Sequence, residues 1–336
     1  MFPLTNSHLM VSIAALAFFS TMMSTHPTSA IADDQSKPLP EQLVEGLHGV
    51  FGNNHARAVH AKGLLLEGTF TPTLDAKNLS KAALFAGGPL PVTIRFSDFT
   101  GIPDISDAVS DANPRGLALK FKLPDGSDSD IVTHSFNGFP VATAGEFVKL
   151  LGAIAASGPK AAKPTALEKY FESHPKAKTF LTTQTAIPAS YATITYYGVN
   201  SFAFTNAQNS KSVVRYRFVP KAGEKFLDEA TSKSKGPKFL AEEITTRVSA
   251  GPIVFDWYSQ ISGDGDKTDD PSVAWPESRK LVNLGTISVS KLVADQAAAD
   301  KAALFLPGNV PAGIEAADPM IEARTSAYPI SASERQ

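Results

Sequence analysis

Four side chains have types and positions that suit proton transfer or metal binding. Among the seven histidines, His60 precedes a strand-like segment and His134 lies within one. An imidazole titrates near neutral pH, so it can both accept and donate a proton during a reaction. Arg324 and Tyr328 are one helical turn apart and therefore share a helix face. Each has an ordinary alternative, since a lone histidine is often a structural hydrogen-bonding group and a late tyrosine often packs in a core.

The composition excludes several kinds of site. The chain has no cysteine, which excludes disulfides, thiolate metal sites, iron–sulfur clusters and covalent attachment through a Cys-x-x-Cys-His motif. A net charge of −2 over 336 residues gives no broad basic surface, so we expect no nucleic-acid partner. The absence of thiols also suits an oxidising compartment, because the chain has no cysteine that could be oxidised there.

The N-terminus has a pattern typical of export. Leu9–Met23 is mostly apolar but shorter than the ~20 residues of a membrane-spanning helix. An A-x-A cleavage pattern follows at Ala30–Ala32. We therefore expect a signal peptide over residues 1–32, a periplasmic mature chain of residues 33–336 and no stable membrane insertion. The leader has no Lys or Arg, and the alternative is an uncleaved N-terminal anchor.

Hydrophobic patterning predicts an α+β fold. Runs rich in β-branched and aromatic residues, bounded by Gly, Pro and Asp, are typical of strands. These runs are Gly63–Pro72, Val92–Phe96, Leu117–Leu123, Ile131–Phe139, Thr193–Phe204, Ser212–Phe218, Ile253–Ser262 and Leu284–Val289. Helical spacing occurs at Gln42–Phe51, Ala144–Ala156, Ala166–Glu172, Glu224–Ser232, Lys238–Ala250, Ala294–Phe305 and Ile321–Ser333. Two groups of strands with helices between them favour an antiparallel barrel or sandwich in a single unit.

Three motifs surround His60 in the sequence. They read R-x-V-H-A-K-G from Arg57, R-F-S from Arg95 and P-R-G-x-A-x-K-F from Pro114. In this order and spacing they resemble the haem catalases. The resemblance implies that His60 is the distal catalytic histidine and that Ser97 holds its ring. It also implies that Arg57 and Arg95 contact the haem propionates, which arginines bind well, and that Val59 narrows the channel over the iron.

One position departs from the catalase pattern. Catalases carry an asparagine after an Asp-Leu-Val-Gly type strand, whereas this chain has His134 there, and Asn137 three residues on is the alternative candidate. In catalases the asparagine helps to orient peroxide, including the second molecule that is oxidised to oxygen. Its replacement therefore favours a peroxidase over a true catalase. Phe147 falls where catalases place an aromatic residue over the haem, and ordinary helix packing is the alternative.

The C-terminal segment reads D-P-x-x-x-x-R-x-x-x-Y-P from Asp318 to Pro329. It resembles the catalase proximal helix, which implies that Tyr328 binds the iron as a phenolate, a known class of haem ligand. Because a free phenol has a pKa near 10, this ligand needs help from positive charge. Arg324 and the iron itself would supply that charge. Arg335 aligns with a further propionate-binding arginine of catalases.

The resemblance runs from about Glu41 to the end of the chain and is strongest to the exported catalase-related peroxidases. It implies a minimal catalase-like β-barrel core with surrounding helices, without the C-terminal helical and NADPH region, that binds haem b non-covalently. The implied partners are peroxide and a small-molecule electron donor, with weak catalase activity, in a monomer or small homo-oligomer. The alternatives are a minimal true catalase, a periplasmic haem-binding or carrier protein, and an enzyme that rearranges hydroperoxides.

Overall fold

The computed structural model describes residues 36–335. The predicted signal peptide, residues 1–32, lies outside the described residues. Within residues 36–335 no helix has the length and apolar character needed to cross a bilayer.

A closed antiparallel β-barrel forms the centre of the molecule. The strands are β1 (Gly63–Pro72), β2 (Leu90–Ser97), β3 (Gly116–Lys122), β4 (Asp128–His134), β5 (Ile187–Pro188), β6 (Tyr196–Thr205), β7 (Lys211–Pro220), β8 (Phe226–Leu227), β9 (Ile253–Ile261), β10 (Leu281–Leu292) and β11 (Ile314–Ala316). The barrel order is β6-β4-β3-β2-β1-β10-β9-β7, and β7 pairs with β6 to close it. β11 extends the sheet from β6, and β5 pairs with β8 separately. The predicted α+β class and antiparallel barrel are confirmed.

Helices surround the barrel. They are α1 (Leu39–Phe51), α2 (Leu74–Leu79), α3 (Ala83–Ala86), α4 (Ala144–Ala155), α5 (Ala166–Ser173), α6 (Pro175–Thr182), α7 (Glu229–Lys233), α8 (Phe239–Ala250), α9 (Gln296–Ala302) and α10 (Met320–Ser333). Local capping defines several of their starts. Thr143 accepts a hydrogen bond from the Glu146 amide to begin α4, and Thr165 with Glu168 forms a capping box at α5.

Aromatic side chains fill the barrel lumen. The Trp257 ring lies 5.2 Å from Phe70, 5.7 Å from Phe121 and 5.4 Å from Phe218 between ring centroids, and all four residues are fully buried. Aromatic pairs at these distances stabilise a core beyond their buried area. Because the lumen is filled by protein, any ligand site must lie outside it.

A second apolar cluster covers the barrel under α1, α4 and α10. Its buried members are Leu43, Val44, Leu47, Ala58, Ala144, Val148, Leu151, Met320 and Ala327. Gly46 permits the close approach of α1 to α4, because a Cβ at this position would lie 3.0 Å from Leu151 Cδ1. Val59, Phe139 and Phe147 are partly buried against the same cluster. Val59 and Phe147, two of the predicted site residues, therefore lie against this helical layer.

The element predictions fail where pairing overrides local patterning. Glu224–Ser232 was expected to be helical, but Phe226–Leu227 pairs with Ile187–Pro188, and the helix is confined to Glu229–Lys233. The strand expected to reach Phe139 ends at His134, the last residue of β4 that pairs with β3.

We predict that Trp257→Ala lowers the free energy of unfolding by about 3–5 kcal/mol, because it removes the largest side chain of the filled lumen. Urea denaturation followed by circular dichroism measures this change. Leu74→Ala is the control, since Leu74 is 81% exposed and its loss should cost less than about 0.5 kcal/mol. Equal stability of the two variants would contradict the assignment of Trp257 to the core.

Candidate active site

The site is built along one row of the barrel sheet. Cα pairing runs from Gly63 to Ser97, from Ser97 to Gly116, from Gly116 to His134 and from His134 to Tyr197. This row crosses β1, β2, β3, β4 and β6 where β1 and β3 begin and β2 and β4 end. The barrel register therefore places Ser97 and His134 at the same edge, although they are far apart in sequence.

The backbone of His60 has an uncommon conformation. Its φ of 56° lies in the left-handed region, which non-glycine residues rarely adopt. The His60 amide donates to Phe99 O at 2.8 Å, and the Ala61 amide donates to Thr100 O at 2.9 Å. Conformations of this kind cost on the order of 1–3 kcal/mol and persist where the surroundings impose them. The loop that follows β2 thus fixes the direction of the His60 side chain.

The His60 ring lies between a hydroxyl and an aromatic edge. Its Nδ1 is 3.0 Å from Ser97 Oγ, and its ring centroid is 5.7 Å from that of Phe99 in an edge-on arrangement. Gly116 makes room for the ring, because a Cβ there would lie 2.8 Å from His60 Nδ1. With Nδ1 engaged by Ser97, the other ring nitrogen is the one left for a reactant.

His134 lies at the end of β4 in an aromatic environment. Its ring centroid is 6.1 Å from Phe180 and 6.5 Å from Phe139. Nδ1 accepts a hydrogen bond from the Phe136 amide at 3.3 Å, whereas Nε2 is buried with no hydrogen-bond partner. A neutral imidazole that accepts at Nδ1 carries its proton on Nε2. His134 therefore holds an unused buried N–H donor.

Asn137 lies apart from this environment. Its side-chain amide donates to Glu277 Oε1 at 3.3 Å, and Glu277 is itself bound by both terminal nitrogens of Arg217 at 2.9 and 3.0 Å. The Glu277 side chain is mostly exposed. His134 and Asn137 were the two candidates for the asparagine position. His134 has a buried ring nitrogen in the interior, whereas Asn137 bonds a mostly exposed carboxylate.

Both histidines are held in the neutral form. Burial, together with the smaller effects of the Arg95 and Arg324 charges, lowers the pKa of His60 to about 3. Burial and the charge of Arg324 likewise lower the pKa of His134 to about 3. Arg324, on the C-terminal helix, therefore lies close enough to both imidazoles for its charge to lower the pKa of each.

The C-terminal helix presents a tyrosine whose oxygen accepts two charged hydrogen bonds. Arg324 donates to Tyr328 Oη from Nε at 3.0 Å and from Nη2 at 2.7 Å. Its Nη1 donates to Asn200 Oδ1 at 2.5 Å, and Asn200 Nδ2 donates to Asp318 Oδ2 at 2.7 Å. The chain Asp318–Asn200–Arg324 fixes the guanidinium, and the guanidinium stabilises negative charge on the phenol oxygen.

Three predicted arginines gather at the end of α9 around one carboxylate. Asp300 accepts from Arg95 Nε at 2.7 Å and from Arg57 Nη1 at 2.5 Å. Arg57 and Arg335 also donate to Ala303 O at 2.8 and 2.7 Å, while Arg335 Nε is buried without a partner. Burial and the charges of Arg95 and Arg335 lower the pKa of Arg57 to about 9, although Asp300 opposes them. The cluster thus carries more positive than negative charge.

The two apolar residues predicted for the site also lie nearby. Phe147, on α4, has its ring centroid 5.2 Å from that of Phe139, which contacts His134. Val59 directly precedes His60 and packs on the helical cluster. Both remain partly exposed, so each keeps surface available for a ligand.

Sequence reasoning missed several residues of the site. Phe99 and Phe180 contact each other at 6.0 Å between ring centroids and link the rings of His60 and His134. Asn200 and Asp300 hold the predicted arginines. No motif identifies these residues, because each meets its partner only after distant segments have folded together.

Comparisons with known proteins find relatives with similar sequences and folds. Residues 53–336 match the family model described as Catalase. The chain is 37% identical to a catalase-related peroxidase of Mycolicibacterium paratuberculosis over 87% of this chain and 93% of that protein. It is 32% identical to a catalase-related peroxidase of Synechococcus elongatus, over 88% of each chain. Catalase A from Saccharomyces cerevisiae has a similar fold, with a TM-score of 0.72 at 21% identity over 83% of this chain and 61% of that structure.

We predict that neutral buried histidines make stability depend on pH. The pKa of His134 is about 3 in the folded chain and ~6.5 when unfolded, so its contribution is complete above pH 6.5 and is lost as pH falls towards 3. His134→Asn should make the free energy of unfolding fall less steeply between pH 6.5 and 4, by about 1 kcal/mol per pH unit.

Urea denaturation at several pH values measures these slopes. His55→Asn is the control, because it removes an exposed histidine and should keep the wild-type slope. If the free energy of unfolding of His134→Asn changed with pH as steeply as that of the wild type, His134 would not be buried in its neutral form.

Proposed function

The chain belongs to the catalase family, and we propose that it is a haem-dependent peroxidase that reduces peroxide with electrons from a small-molecule donor. Its substrates would be hydrogen peroxide, organic hydroperoxides or both, with only weak catalase activity. The observation that carries the proposal is the pairing of Arg324 with Tyr328 Oη, together with the Ser97–His60 pair, whose imidazole feels the charge of the same arginine. Tyr328 would supply an anionic ligand to the iron, and His60 would supply the acid–base group.

The residues present fit a haem group. Tyr328 would bind the iron, Val59 and Phe147 would contact the porphyrin ring, and Arg57, Arg95 and Arg335 would bind the propionates. Two buried donors, His134 Nε2 and Arg335 Nε, have no protein partner, as expected of groups that meet a ligand. When bound, haem b supplies a redox-active iron that can pass electrons from the donor to peroxide.

His60 would move the proton. A neutral imidazole can take a proton from one peroxide oxygen and return it to the other, which allows the O–O bond to break heterolytically. Reduction of hydrogen peroxide to two waters consumes two electrons and two protons, which the donor and solvent supply. The low pKa of His60 keeps the imidazole neutral and ready to accept the first proton. Ser97 holds Nδ1, so the ring presents one defined nitrogen.

His134 would favour the peroxidase reaction over disproportionation. Its Nε2–H can donate one hydrogen bond to bound peroxide, whereas the side-chain amide of asparagine offers two N–H donors on a smaller group. Orientation of a second peroxide for oxidation to oxygen is therefore poorer, and an external donor supplies the electrons instead.

We propose that the mature chain is periplasmic after removal of residues 1–32, and that it acts as a monomer or a small homo-oligomer.

We predict that the haem-loaded protein oxidises an added one-electron donor in the presence of hydrogen peroxide and evolves little oxygen. His134→Asn should raise oxygen evolution several-fold, because the amide orients the second peroxide. Parallel measurements with an oxygen electrode and donor absorbance decide the ratio. Rapid oxygen evolution by the wild type would indicate a true catalase, and turnover by neither route would overturn the enzyme proposal.

We also predict that Tyr328→Phe abolishes haem retention or its high-spin ferric spectrum, because phenylalanine offers no oxygen to iron. Absorbance spectra after gel filtration measure both properties. Tyr258→Phe is the matched control, because it removes a hydroxyl that bonds Asp256 on β9 and not Arg324, and it should leave haem content and spectrum unchanged. An unaltered spectrum in Tyr328→Phe would remove Tyr328 as the ligand.

A further inference from the structure

We propose that Asp300 is a positioning residue for the distal histidine, because it orients Arg57 and Arg95 and, through Arg95, holds the backbone of His60. This inference rests on the proposed function, since it concerns the same site. It assigns a role to α9, a helix that none of the motifs around His60 and Tyr328 includes.

The carboxylate of Asp300 is fully engaged by two arginines. Oδ1 accepts from Arg95 Nε at 2.7 Å, and Oδ2 accepts from Arg57 Nη1 at 2.5 Å. The Asp300 carbonyl accepts a further bond from Arg57 Nη2 at 2.9 Å. Burial raises the pKa of Asp300, but Arg95 and Arg57 outweigh it and hold the pKa below its usual range. The carboxylate is therefore charged when it orients the two guanidinium groups.

Arg95 transmits this orientation to the distal segment. Its Nη1 donates to His60 O at 3.0 Å and its Nη2 donates to Ala61 O at 3.2 Å. Arg95 is only 3% exposed, so solvent cannot replace these bonds. Because the guanidinium is planar, fixing Nε also fixes the directions of both terminal nitrogens. Asp300 thus acts, through Arg95, on the carbonyls of His60 and Ala61, which follow the left-handed conformation at His60.

Asp300 is held by a rigid element. At the start of α9, Gln296 accepts from the Leu65 amide at 2.8 Å and donates to the Leu65 carbonyl at 2.7 Å. Asp295 caps the helix by accepting from the Ala298 amide at 3.0 Å. The helix is therefore attached to β1, the strand that directly follows His60 and Ala61. This attachment fixes the position of Asp300 relative to β1.

The charge of the cluster also suits the proposed ligand. Arg57, Arg95 and Arg335 bring three positive charges, and Asp300 neutralises one of them. Two positive charges remain for the two carboxylates of haem. Removal of Asp300 would leave Arg57 and Arg95 to repel each other with only carbonyl acceptors, and Arg95 would lose the group that aims it at His60.

Hydrogen–deuterium exchange on the full-length protein tests the proposal. In Asp300→Asn we expect the amides of His60 and Ala61, which donate to Phe99 O and Thr100 O, to exchange at least tenfold faster than in the wild type. Asp295→Asn is the matched control, since it makes the same charge change on the same helix and asparagine caps as well as aspartate. Asp300→Glu should restore part of the protection, because it keeps the carboxylate.

Cyanide association with the ferric haem-loaded protein gives a second readout. Hydrogen cyanide loses its proton on binding iron, so its association rate reports the position of the distal base without turnover of peroxide. We expect a fall of about tenfold or more in Asp300→Asn, within the range of general base assistance, and no change in Asp295→Asn.

The outcomes separate this inference from the proposed function. Wild-type exchange and wild-type cyanide association in Asp300→Asn would overturn the role of Asp300 while leaving the peroxidase proposal intact. Failure of the wild type to bind haem would overturn the proposed function, and exchange at residues 60–61 would still decide the role of Asp300. Equal losses in Asp300→Asn and Asp295→Asn would indicate general destabilisation of α9 and would also overturn it.

Discussion

The site depends on the register of the barrel along the row Gly63, Ser97, Gly116 and His134. Two glycines in this row remove side chains that would otherwise collide, since a Cβ at Gly63 would lie 2.6 Å from Arg95 Cζ and one at Gly116 would meet the His60 ring. A slip of one residue in any strand would turn its side chains to the opposite face of the sheet. The filled lumen resists such a slip, because its aromatic rings pack in only one register. The acid–base geometry of His60 is thus a consequence of core packing on the other face of the sheet.

Charge balance behind the distal loop completes this arrangement. Asp98 directly follows Ser97, is fully buried and pairs with Arg115, while Lys62 pairs with Asp107. Burial and the neighbouring Asp98 carboxyl raise the pKa of Asp107 to about 6. Buried charges persist only when paired, so these ion pairs fix the loop between β2 and β3 that accepts the His60 amide. His60 itself remains neutral, although charged side chains surround its loop.

The two sides of the candidate haem site differ in their surroundings. On the proximal side, Asp318 and Asn200 hold Arg324 so that its charge is directed at Tyr328 Oη. On the distal side, the rings of Phe99 and Phe180 connect His60 and His134. Charged hydrogen bonds would therefore stabilise an anionic ligand on the proximal side, whereas burial and nearby arginine charges keep the imidazoles neutral on the distal side. A peroxidase needs both conditions at one iron.

The sequence by itself determined the eight strands of the barrel, most helices and the chemical types around His60 and Tyr328, because hydrophobic periodicity and short motifs are local properties. Tertiary structure decided which of the two candidates, His134 or Asn137, faces the interior. His134 ends the ladder with β3, and the turn that follows carries Asn137 to Glu277. Only the fold could reveal Asn200 and Asp300 as partners of Arg324 and Arg95, since those contacts span long sequence separations. Pairing energy between distant segments exceeds local propensity, which is also why Phe226–Leu227 is a strand despite its helical spacing.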